Sequence, residues 1–126
     1  MSILDTLSAM RNHQGTVRTV GLDDATLLRL ERDYPDLVTA AERAAENFPA
    51  LAQEFADLIE ADEQTQIDAT QAGFINFYPD DAINPYIAIA ACGPWVITLK
   101  GRVLHDSGGY GMLGFGHTPA DVIDAM

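Results

Sequence analysis

Basic residues, cysteine and long apolar runs are all scarce in this chain, and each scarcity removes a class of function. Seven Lys and Arg stand against nineteen Asp and Glu, for a formal charge of −12. Phosphate backbones are gripped by clustered Lys and Arg, so neither nucleic acid nor an anionic membrane is expected as a partner. Acidity of this kind serves solubility and self-repulsion. No apolar run approaches the ~20 residues that cross a bilayer. The first ten residues lack the basic start and apolar core of a signal peptide, so a soluble, cytoplasmic protein is expected. Cys92 is the only cysteine, which rules out an internal disulfide and a cysteine-based metal cluster. It is expected to be a small buried hydrophobe. Lys100 is the only lysine.

What remains is globular. Apolar residues make up 48% of the 126 residues, enough for one hydrophobic core. The texture changes near residue 80, which divides the chain into a helical region, 1–80, and a β-rich region, 81–126. In the first, Ser2 is a plausible N-cap with Asp5 in the first turn, and Leu4, Leu7, Ser8 and Met10 follow at helical spacing. The stretch Asn12 to Gly15 stops this helix. Asp23 caps a second, with Leu27, Leu28 and Leu30 on its apolar side. Tyr34-Pro35-Asp36 interrupts it, and a third continues through Leu37, Val38, Ala41, Ala44 and Ala45. Pro49 is expected in the first turn of a fourth helix, which buries Leu51, Phe55, Leu58 and Ile59. A fifth, from Asp62 to about Gly73, carries Ile67 and Ala69.

The second region reads as three short strands in an antiparallel meander. Tyr86 to Ala91 is apolar throughout and is expected to be buried on both faces. Gly93-Pro94 breaks it. Trp95 to Leu99 and Val103 to His105 flank Lys100-Gly101, a two-residue surface turn of the hairpin kind. A glycine-rich loop follows from Ser107 to Gly116. Thr118, as N-cap, and Pro119 then open a last helix. That helix is short, which implies continuation in a longer polypeptide. The fold class is α+β.

The stretch from Asn84 to Met126 resembles the opening of class III, fold-type I aminotransferases, which depend on pyridoxal 5′-phosphate (PLP). Gly93, Val96, Gly101 and Asp106 fall on the family's strand pattern. Gly109, Gly111, Gly116, His117, Pro119, Val122 and Ala125 fall on its loop and helix start. One residue fewer than usual separates Asp106 from Gly109, and His117-Thr118-Pro119 is tighter than the commoner form. The resemblance implies the small domain of a fold-type I enzyme, part of a homodimer, moving an amino group between an amine or amino acid and a keto acid. It also implies that Tyr110, flanked by Gly109 and Gly111, lines the substrate pocket. Ile83 takes the position of a substrate-contacting aromatic in the family.

PLP chemistry needs a sheltered lysine to form a Schiff base with the cofactor. A turn tip offers no shelter, so Lys100 is not expected to be that lysine. In the family it lies downstream, with the phosphate-binding residues. The segment is therefore expected to be inactive alone, with no catalytic, cofactor-binding or metal-binding residues of its own and the remainder of the enzyme chain as its partner. His117 is expected to make a structural hydrogen bond and Asp106 to tie the loop to the strands through backbone N–H bonds. His13 and His105 are read as isolated with respect to metal binding, since neither has metal-ligand spacing with a second His. Phe74, Phe77, Tyr78 and Tyr86 are read mainly as core, Asp80-Asp81 as a polar turn, and Glu60, Asp62 and Glu63 as a solvated helix end. The alternatives are a non-catalytic helical interaction module and one chain of a split enzyme.

Overall fold

The computed structural model describes residues 1–73, 85–106 and 116–126. Helix α1 spans Ile3–Arg11, and its start is a capping box: Ser2 and Asp5 each accept from the other's backbone N–H. Helix α2 spans Asp24–Leu30 and is capped by the Asp23 side chain, which accepts from the Thr26 N–H at 2.8 Å. Leu27 is buried there, but Leu28 faces out.

The third helix corrects the sequence reading. Helix α3 runs unbroken over Pro35–Glu54, with Pro49 inside it rather than opening a fourth helix. An interior proline loses one backbone bond and presses on the carbonyl four residues back, at a cost of about 3 kcal/mol. Here Pro49 lies on the exposed side. Leu37, Ala40, Ala41, Ala44 and Phe48 form one buried stripe running up to it, and that shared burial keeps the axis continuous. The chain breaks instead at Phe55 (φ −121°, ψ 43°), which is exposed rather than buried. A single turn, α4 (Ala56–Ile59), and α5 (Glu63–Gln71) follow, with Ile67 buried and Ala69 exposed.

Strands β1 (Ala88–Cys92), β2 (Trp95–Thr98) and β3 (Val103–His105) form the expected antiparallel meander in the order β1-β2-β3. Burial on both faces belongs to β2, not to β1. The central strand is covered from both sides, whereas β1 is an edge. Helix α3 packs across β1 and β2, and α1 packs on α3. One core joins the two regions: Leu7, Leu27, Leu37, Ala44, Ile97 and Val103 all belong to it. Both sheet edges carry covering bonds. Leu22 N–H donates to the Val103 carbonyl at 2.9 Å. Asn47 Nδ2 donates to the Ile89 carbonyl at 3.1 Å, and Thr118 Oγ1 to the Ala91 carbonyl at 2.9 Å. Such bonds blunt an edge that would otherwise template pairing.

The β2–β3 turn also departs from expectation. It has three residues, Leu99 to Gly101, closed by Gly101 N–H to Thr98 O and Thr98 N–H to Arg102 O, both 2.9 Å. Gly101 takes φ +75°, the left-handed position of this turn. The turn is not on the surface: α1 lies over it, and Arg11 Nε donates to the Gly101 carbonyl at 2.9 Å. Helix α6 spans Ala120–Ala125 with Pro119 in the N-cap position. Thr118 sits at φ 43° and caps nothing, since its hydroxyl is committed to Ala91. Val122, Ile123 and Met126 are exposed. Among the described residues no helix is long and apolar enough to cross a membrane.

Candidate functional site

Tyr110, Gly109 and Gly111, the residues expected to line a substrate pocket, lie outside the described residues, as do Phe74, Phe77, Tyr78, Asp80, Asp81 and Ile83. The residues that bracket the glycine-rich stretch are described, and they converge. Gly93 and His117 pair as an antiparallel bridge, N–H to carbonyl at 2.8 and 3.2 Å. Asp106 N–H donates to the Pro94 carbonyl. The His117 Nε2 and Asp106 Oδ2 atoms are 3.1 Å apart. His117 thus makes the structural hydrogen bond expected of it, and one such bond ties it to the Asp106 side chain.

Two glycines permit this approach. Gly116 has φ +78°, and a Cβ there would lie 2.9 Å from the Gly93 Cα. Gly93 has φ +57°, and a Cβ there would meet Asp36 Oδ2 at 2.8 Å. Beside them Trp95 takes His105 edge-on at 5.0 Å and Tyr34 at 5.8 Å between ring centroids. Cys92 is buried as expected; burial, and then the charge of Asp36, push its thiol up, which makes it a poor nucleophile.

A second cluster was not legible as a cluster. Lys100 is 2% exposed. Its Nζ lies 3.3 Å from His13 Nδ1 and 3.5 Å from the Ile59 carbonyl. Burial holds the Lys100 amine below the usual lysine range, against the pull of Glu63, Asp62 and Glu60. Burial, and then the Lys100 charge, also lower His13.

Those three acids are not a merely solvated helix end. They hold the segment from Gln14 to Thr19 by its backbone. Glu60 accepts from Gln14 N–H at 2.9 Å and Asp62 from Thr16 N–H at 2.7 Å. Glu63, 2% exposed, accepts from Arg18 N–H at 2.6 Å, Thr19 N–H at 2.7 Å and Thr19 Oγ1 at 2.7 Å. Burial alone would raise the Glu63 carboxyl, but the bonds from Thr19 and Arg18 and the Lys100 charge outweigh it and lower it. The backbone bonds of Thr16 lower Asp62. Gly15 lies so close to the Ala61 carbonyl that no side chain fits between them.

Among the described residues no group of three His, Cys, Asp or Glu side chains is placed to hold a metal. A cavity of about 820 Å³ opens between the end of α3, α4, α5 and β1, walled mainly by Leu51, Phe55, Leu58, Ile59, Ile87 and Ile89. Its mainly apolar walls carry no acid–base pair among the described residues. Comparison of the chain with protein-family models, with curated proteins and with solved structures finds no match.

Proposed function

We propose that this chain is the N-terminal portion of a PLP-dependent, class III aminotransferase of fold-type I, moving an amino group between an amine or amino acid and a keto acid. The observation that supports this reading is the convergence of Gly93, Asp106, Gly116 and His117 at the base of the glycine-rich stretch. These are four of the positions on which the family resemblance rests, and a meander of the expected order carries them. In this reading Tyr110, Gly109 and Gly111 line the substrate pocket, and the complete enzyme is a cytoplasmic homodimer.

The chain's own residues do not fit the cofactor. Covalent attachment needs a lysine that PLP can reach, and the one lysine is enclosed by His13 and the Ile59 carbonyl. The Schiff-base lysine and the phosphate-binding residues therefore belong to the remainder of the enzyme, as one continuous chain or as a separate partner chain. A second reading, a non-catalytic interaction module, is favoured by the shared core and the covered sheet edges, which let the described parts pack without further chain. Intact mass and near-visible absorbance of the protein from its native source separate the two. The aminotransferase reading expects a mass above 13.6 kDa, or a tightly bound second chain, and a chromophore that bleaches with an amino donor. A 13.6 kDa protein with no chromophore and no partner overturns it.

A further inference from the structure

The Lys100–His13 contact lies at the centre of the bonds that hold the strap from Gln14 to Thr19. His13 directly precedes the strap. Lys100 projects from the β2–β3 turn to meet it, under the corner between α4 and α5. At 3.3 Å the two nitrogens can share one proton: a charged Lys100 donates to an unprotonated His13 Nδ1. They cannot both be protonated at that distance without facing each other as like charges.

We propose that this pair is an acid-operated latch, in which a second proton, taken by His13, drives it from Lys100, lifts the strap off the α4–α5 corner and opens Lys100 to solvent. The charged groups around the pair permit this. Glu60, Asp62 and Glu63 face it from the corner while their oxygens accept strap N–H groups; the Glu60 charge favours a proton on His13, but burial and the Lys100 charge outweigh it. Arg102 on the hairpin adds positive charge. Arg11 of α1 is bound to Asp24, and Arg18 of the strap to Gln64. Burial and the Lys100 charge resist a second proton while the latch is closed, so its uptake favours the open form. The sign follows: closure is fully supported above the ordinary histidine value of 6.5 and weakens as pH falls below it. Asp62 and Glu63, which hold the strap, are kept below their ordinary values of 3.8 and 4.5, so their bonds persist at pH 5.5. The latch does not depend on the activity of any larger enzyme.

Amide hydrogen exchange of Gln14, Thr16, Arg18 and Thr19, corrected for intrinsic rates, tests it on the full chain. Between pH 7.5 and 5.5 the protection of these four amides is expected to fall severalfold, with about tenfold as the limit set by the ordinary histidine value of 6.5 in the open form. The α3 amides should stay protected. In His13→Gln, whose amide oxygen can accept from Lys100 at either pH, the fall should be absent. Lys100→Met removes the like charge but leaves the burial of His13, so the fall should become smaller, which keeps the test usable if His13→Gln does not fold. Equal wild-type protection at both pH values overturns the proposal. So does a parallel loss in a folded His13→Gln or Lys100→Met protein.

Discussion

His117 Nε2 lies 3.1 Å from Asp106 Oδ2, and the backbones of both residues are bonded to the Gly93-Pro94 corner. Positions eleven apart in sequence are thus held side by side at one corner of the sheet. If the pair is one energetic unit, Asp106→Asn and His117→Gln should be non-additive. The double-mutant cycle is expected to give a coupling of about 0.5–1 kcal/mol, modest because both side chains are partly exposed. Urea unfolding of the four proteins measures it, and simple additivity would show that the contact contributes nothing.

Gly116 at this corner, set against Gly73 after α5, gives a second prediction. Gly116→Ala and Gly73→Ala both place a side chain at positive φ, +78° and +84°. Only Gly116 also lacks space, because Gly93 is in the way. Each should lose about 1 kcal/mol from the backbone conformation, and Gly116→Ala should lose measurably more through displacement of Gly93. Equal thermal midpoints for the two variants would mean that the corner yields freely.

Lys100 gives a third. Its pKa is lowered, so the folded state disfavours its charge. That penalty is present at neutral pH and is relieved as pH rises through the folded value toward the ordinary 10.5. Lys100→Met removes the charge and keeps an apolar chain, so it should be at least as stable as wild type at pH 7. Its advantage should shrink toward pH 10. Denaturant titrations at both pH values check this; taking the difference between the two proteins cancels the titration of Tyr86 and Cys92. A variant several kcal/mol less stable at pH 7 would show that the ammonium is needed rather than tolerated.

Glu63 gives a fourth, with the opposite sign. Its lowered pKa means that its contribution is present above the ordinary value of 4.5 and lost as pH falls through the folded value. Glu63→Gln keeps the shape but replaces one acceptor oxygen with a donor facing other donors. It should cost about 1–3 kcal/mol at pH 7 and flatten the acid limb of the stability curve. An unchanged acid limb would assign that limb to other carboxylates.

The local signals were legible in the sequence where one segment decides its own structure. Ser2 with Asp5, and Asp23, announced helix starts because capping involves residues three apart. Gly93-Pro94 and Gly101 announced the meander for the same reason. What failed depended on distant residues. Pro49 reads as a helix start until the buried stripe before it is packed on the sheet. Lys100 reads as a surface turn until α1, ninety positions away at Arg11, covers Gly101. Glu63 reads as one more acid at a helix start until Arg18 and Thr19 bring their N–H groups to it. A single lysine in so acidic a chain was the one hint that its place is special, and composition says nothing about where a side chain points.

The most direct test of the aminotransferase account is borohydride reduction of the native-source protein in the presence of PLP, followed by peptide mapping of the labelled lysine. The account predicts a phosphopyridoxyl label on a lysine outside residues 1–126, in the same polypeptide or a tightly bound partner, with Lys100 unlabelled. A label on Lys100, or no specific label anywhere, would contradict it.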